Sequence, residues 1–448
     1  MGRPVDRTRF PAYMTGRPRP APPVLALAAA LALLVQPDTT FRAPAPAPDT
    51  SDVSDTEADV AEVAEDISRF RVRPVFSPSA LYSGSKGVGI GGGIAVDDVL
   101  TQGDHVQVEA RLAQRLQGAQ AEYVTGEPGR DRLVGVFGAA AWTTTRTRFT
   151  GHGPRSTDVG DLFLDRVAAE SEARLAWAPA GRGGLLLQPT GRLRFDRLRN
   201  VSEAREGGFD RVLASDLERL AAVEGEDRYG GEIALSVVRD TRDIRAMPAR
   251  GAYVEGQVSR FQAFDGSGLG FWQARTLVYA FRPALFRVPF IPERGAIFVR
   301  ANGVVTREDG DRPLPWVYLP DLDGDLLVGY PRDEFAGRDA VSVGVGARGV
   351  IGQAIGAFLF EGVATAMVGA AYDNVFEEFT PRVRFSTARP EPGRTVPLRP
   401  SLAVGLNFHF LDRERPIVGA LVGVGPGGVT LASLRLIYGL TGYRPRLR

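Results

Sequence analysis

Reactive side chains are few in this chain and stand far apart. His105, His152 and His409 are its three histidines, and it has no cysteine. The missing thiol excludes disulfides, thiolate metal sites, a cysteine nucleophile and a lipidated N-terminal cysteine. It also suits an exported protein. A serine hydrolase brings serine, histidine and an orienting polar group together. No Gly-x-Ser-x-Gly elbow occurs, His152 sits in a GHGP loop, and His105 and His409 fall within strand patterns. The run Asp321-Leu322-Asp323-Gly324-Asp325 has calcium-like spacing. It lacks the rest of a twelve-residue loop with its closing glutamate, so an acidic loop tip is the plainer reading. GVGIGGG (87–93) reads as a glycine-rich first strand rather than a phosphate loop. The expectation is no enzyme, no metal and no cofactor. A net charge of +1 gives no bias toward nucleic acid.

The elements that position these residues begin with an address. An uninterrupted apolar run, PVLALAAALALLV (23–35), follows an arginine-containing stretch. It is too short for a membrane-spanning helix, which needs about 20 residues, and it matches the core of a secretory signal. Residues 1–37 are therefore read as a signal peptide, with Met14 as a possible start. Residues 38–66 combine Pro/Ala with a dense acidic run. Such a stretch buries too little to offset its ordering entropy, so it reads as a disordered leader. A short helix around Val60–Ile67 is possible within it.

Residues 67–448 read as an all-β unit. Segments alternate apolar and polar residues with a period of two between Gly/Asp/Pro/Arg-rich turns. In 105–112, Val106, Val108, Ala110 and Leu112 oppose His105, Gln107, Glu109 and Arg111. In 252–259, Val254, Gly256 and Val258 oppose Glu255, Gln257 and Ser259. Ile297, Val299 and Ala301 oppose Arg300 and Asn302. Leu402, Val404, Leu406, Phe408 and Phe410 oppose Ala403, Gly405, Asn407 and His409. In 430–440, Ala432, Leu434, Leu436, Tyr438 and Leu440 oppose Ser433 and Arg435. Tilted strands cross a bilayer in about 9–11 residues. A basic residue facing lipid costs roughly 2–4 kcal/mol near the midplane, so the charged faces must look into a lumen. The pattern predicts a transmembrane antiparallel β-barrel of about 16 strands between residues 86 and 440, with long loops at 150–165 and 198–228. A soluble β-sandwich or small barrel is the competing architecture.

Two stretches carry more than alternation. The segment VVRDTRDIRAMPARGAYVEGQVS (237–259) holds Asp240, Thr241, Arg242, Asp243, Pro248, Arg250 and Gly251. Pro248 presets a turn and Gly251 can adopt a φ that other residues avoid. The Asp/Arg alternation predicts a cross-strand charge ladder at the rim. The second stretch, 318–349, holds Gly329, Tyr330, Pro331, Arg332, Phe335, Arg338 and Asp339. Together these resemble the bacterial surface antigen superfamily, the BamA/TamA family of barrel-assembly, translocation-assembly and two-partner-secretion proteins. Residues 74–92 are similar to the first barrel strand of its short members.

The resemblance implies an outer-membrane barrel whose sixth extracellular loop, here 318–349, folds back into the lumen. The family's loop-tip arginine would fall at Val328, and its wall acid and glycine at Gly369 and Ala371, so both halves of that ion pair are replaced. Arg332 with Asp373 or Asp339 is a possible substitute. Tyr438 would serve as the terminal aromatic. Family members that insert or secrete proteins carry POTRA domains of roughly 75 residues each, and residues 36–73 cannot hold one, so the resemblance is to a short form. It implies outer-membrane localisation, a role in outer-membrane biogenesis or in passage of protein or lipid, and as partners membrane lipid with unfolded outer-membrane clients or periplasmic proteins. A passive channel or structural barrel is the alternative.

Overall fold

The computed structural model describes residues 75–83, 87–97, 99–100, 104–125, 133–149, 162–179, 185–203, 227–243, 248–284, 295–309, 314–320, 327, 337–354, 358–385, 395–410, 416–425 and 428–437. The signal and leader readings (1–37 and 38–66), His152, the Asp321–Asp325 run, Val328, Gly329, Tyr330, Pro331, Arg332, Phe335 and Tyr438 lie outside these residues.

Period-two alternation has become a single wall. Its strands are β1 (Val75–Ser83), β2 (Gly87–Asp97), β3 (His105–Ala113), β4 (Leu116–Thr125), β5 (Leu133–Phe149) and β6 (Leu162–Trp177). They continue as β7 (Leu185–Glu203), β8 (Arg228–Asp240), β9 (Gly251–Ala263), β10 (Gly270–Pro283), β11 (Ala296–Asp309) and β12 (Asp339–Ala354). After β13 (Phe358–Tyr372) come a one-turn helix α1 (Val375–Glu378) and the short β14 (Phe379–Val383). The last three are β15 (Val396–Phe410), β16 (Pro416–Gly425) and β17 (Gly428–Ile437).

Each strand from β1 to β13 pairs antiparallel with the next, and β13 pairs with β15. From β15 the ladder runs through β16 and β17 back to β1, where Ser79–Tyr82 pair with Leu434–Ile437. Among the described residues the result is a closed transmembrane antiparallel barrel of sixteen strands. Closure leaves no wall strand with an unpaired edge, the condition for spanning lipid. β14 stands apart, pairing in parallel with the first residues of β15.

The two faces divide as the alternation predicts. Val108, Leu112, Val254, Val258, Ile297, Val299, Leu402, Val404 and Leu406 point outward and are exposed. On the opposite face Glu109, Ser259, Asn302 and His409 are buried in the lumen wall. An outer surface this apolar requires lipid around it.

Two expectations are corrected. The glycine-rich segment at 87–93 belongs to the second strand; the first is Val75–Ser83, and the two form a hairpin. Pro78 interrupts the alternation of VFSPSALYS, and proline demotes a strand pattern to an edge. The loops expected at 150–165 and 198–228 are shorter, because β6 starts at Leu162 and β7 runs to Glu203.

Candidate functional site: the occupied lumen and its rim

The β11–β12 connection is the sixth on its side of the barrel, and its described residues lie inside the lumen. A 3-10 turn, Trp316–Tyr318, begins it. Leu314, Tyr318 and Leu319 pack with Leu162 and Leu164 of β6, Leu198 of β7, Phe261 of β9 and Phe271 of β10. The Tyr318 ring lies 4.9 Å from Phe261 and 5.8 Å from Phe271. The Arg194 guanidinium stands 4.9 Å over it. Desolvation, the largest influence, lifts the Tyr318 phenol above its ordinary range, so it stays protonated. The loop's two limbs meet where the Gly337 amide donates to the Pro320 carbonyl at 3.0 Å.

A second anchor sits on another arc of wall. Leu327 is fully buried against Ala340, Met367, Ala371 and Ala403. A Cβ added to Gly369 would lie 3.4 Å from Leu327 Cδ1 and 2.9 Å from the Val341 carbonyl oxygen. The loop therefore approaches the wall at Gly369 and Ala371, where the family resemblance placed an acid and its glycine. The contact here is apolar.

Charges line the rest of the lumen in paired clusters. Glu172 accepts from Arg174 and Arg192, and Arg192 reaches Glu232 at 2.9 Å. Arg166 Nε donates to Asp196 at 2.8 Å. Glu109 accepts from Arg111 at 2.8 Å and from Gln120 at 2.7 Å. Near the opposite rim Glu361 accepts from Arg348 and from Asn407 (2.9 Å), with His409 Nε2 at 3.1 Å. Thus His409 is a structural partner of a buried acid, and His105 is a buried lumen-face residue at the start of β3.

The last two residues of the loop motif straddle the wall. Arg338 faces inward, donating to the Asp373 carbonyl at 3.0 Å and standing 3.7 Å from Glu308. Asp339 shares the parity of Val343 and Val345, which are lipid-facing, so its side chain points outward rather than into the lumen as a loop motif implied. It is fully buried there. It accepts from Arg307 (2.8 and 3.2 Å) and from the amides of Thr306 (3.0 Å) and Val375 (2.9 Å). Asp339 thereby fastens α1 to the outside of the barrel.

The 237–259 hairpin closes the other rim. Thr241 Oγ1 accepts from the Ala252 amide at 3.0 Å, and Asp243 caps the turn by accepting from the Ala249 and Arg250 amides. Arg242, in the turn just past β8, grips Asp240 through two 2.8 Å bonds and stands 4.9 Å over the Tyr253 ring. Pro248 is buried in the turn and Arg250 is exposed. Gly251 has φ +94, and a Cβ there would fall 2.1 Å from the Thr241 carbonyl oxygen. Gly251→Ala is expected to destabilise the barrel by at least about 1–3 kcal/mol from backbone strain alone. A denaturant midpoint equal to that of the parent chain would show that the turn rearranges freely.

No family model matches the sequence, and no curated protein does. Solved structures do. BamA from Haemophilus ducreyi lacking POTRA domains 1–3 superposes with a TM-score of 0.55 at 12% identity, covering 82% of this chain and 70% of that one. The fold is that of the BamA outer-membrane barrel. CdiB from Escherichia coli has it too, with a TM-score of 0.51 at 10% identity over 85% of this chain and 70-odd per cent, 71%, of its own. Within the BamA-type fold, the loop occupies the lumen and the wall closes where β1 meets β17.

Proposed function

We propose that this protein is an assembly or translocation barrel of the bacterial outer membrane, exported by its 23–35 signal, that lets client protein enter or cross the bilayer at the β1–β17 seam. The observation that carries the reading is the loop lodged in the lumen, which fills the path a passive channel would need. Within the described residues Ser79–Tyr82 of the first strand pair there with Leu434–Ile437 of the last. The seam is where the two terminal strands of the wall meet, and an opened strand offers backbone donors and acceptors to an incoming strand. No bond chemistry is needed. The loop filling the lumen gives less support to a passive open channel.

Ala80 and Leu436 are directly opposite in register, and the chain has no cysteine of its own. Cysteines at both positions, close enough to bridge across an antiparallel pair, make the test. The full chain in liposomes is expected to speed folding of an unfolded small outer-membrane barrel while the pair is reduced, and to lose that effect when it is oxidised. Steady ion-selective conductance with no effect on client folding would make the protein a channel instead.

A further inference from the structure

Above the ends of β12, β13 and β15 a segment lies on the outside of the wall. Ala370, Tyr372 and Val396 are buried together there, with Val341, Val375 and Leu398 packed against them. They share the face of Val343, Val345, Leu402 and Val404, which are exposed to lipid. What covers them is α1 and the start of β14: Val375 is in the cluster, and the Phe379 ring stands 6.3 Å from Tyr372. The segment is pinned at its beginning. Asp339 accepts the Val375 amide at 2.9 Å, Asn374 Oδ1 accepts the Phe376 amide at 3.2 Å, and Glu378 turns back to the Asp373 amide at 2.9 Å.

Its outer surface is of a different kind. Phe376, Phe379, Val383 and Phe385 are 79%, 44%, 56% and 73% exposed. Arg382 and Arg384 alternate with them and are exposed as well. Among the described residues neither guanidinium meets an acid. Three exposed phenylalanines with two arginines, continuous with the lipid-facing wall, match what a membrane interface demands. Aromatic side chains settle at the edge of the apolar band, and a guanidinium fork pairs with a phosphate oxygen pair.

We propose that α1–β14 is a lipid-docking surface, in which Arg382 and Arg384 hold phosphate groups of anionic outer-leaflet lipid while Phe376, Phe379 and Phe385 enter the headgroup boundary. The surface selects lipid by charge on the loop side of the barrel, next to the strands that seat Leu327.

The absence of native cysteine allows a single label. Val383→Cys, carrying a bimane fluorophore, is reconstituted as the full chain in phosphatidylcholine vesicles containing either brominated phosphatidylglycerol or brominated phosphatidylcholine at equal bromine content. Anionic lipid is expected to quench more strongly, because each arginine near the surface enriches it about fivefold. The excess is expected to vanish in R382Q/R384Q carrying the same label. Fold is checked in every variant by heat-modifiable migration on gels, with Thr380→Ala as a matched surface control that keeps the excess. Equal quenching by the two lipids, or an excess that survives the double substitution, overturns the proposal. Failure of both lipids to quench also overturns it, placing the segment in water and open to a protein partner.

Discussion

Leu327→Ala is expected to loosen the lumen loop. The side chain is fully buried against Ala340, Met367, Ala371 and Ala403. Truncating a buried leucine costs about 2–5 kcal/mol, through lost transfer energy and the cavity left behind. The neighbours are mostly alanines on a hydrogen-bonded wall, so they cannot collapse to refill the space. Since every 1.4 kcal/mol is about tenfold in an equilibrium, the undocked population should rise by at least an order of magnitude. Leu314, Tyr318 and Leu319 keep the other anchor on β6, β7, β9 and β10, so the loop should loosen at one end only. In planar bilayers the variant should show more frequent and larger current openings than the parent chain, with unchanged heat-modified migration. Identical conductance traces would mean that Leu327 does not hold the loop.

Glu361→Ala should be the most damaging single change in the lumen wall. Glu361 is fully buried and takes hydrogen bonds from Arg348 and Asn407, with His409 alongside. Removing one member of a buried charge pair costs about 3–5 kcal/mol, because the remaining charge loses its compensation. Glu361→Gln keeps the shape and one acceptor oxygen, and should lose only about 1–3 kcal/mol. Urea unfolding of the barrel in micelles, followed by tryptophan fluorescence, separates the two. If the glutamine variant proved the less stable, the cluster would owe its stability to packing rather than charge.

These two sites bear on the proposed role. The loop is fixed by apolar contacts at two arcs of wall, while the wall itself is rich in paired charges. A charged lumen wall is compatible with water, but the loop stands in it. The seam lies in the wall, where β1 and β17 meet.

Which side chains face lipid and which face the lumen was legible in the amino-acid order alone. The pleat makes successive residues point to opposite faces, so Val254 and Val258 had to part from Glu255 and Ser259 wherever the strand lay. The turn at Gly251 was legible for the same reason: its positive φ and the caps by Thr241 and Asp243 are set within a dozen residues. What lay beyond was register and docking. Glu361 meets His409 only because Leu359 pairs with His409 and Glu361 with Asn407, a long-range alignment that neither strand encodes by itself. Asp339 belonged to a loop motif by its neighbours, yet one residue of parity turned it outward onto Arg307 and α1. Leu327 found its seat because β12, β13 and β15 bring Ala340, Met367 and Ala403 together. The physical reason is range: pleat and turn chemistry act between near neighbours, whereas a closed ladder and a loop folded into it are decided by contacts that exist only once the barrel has formed.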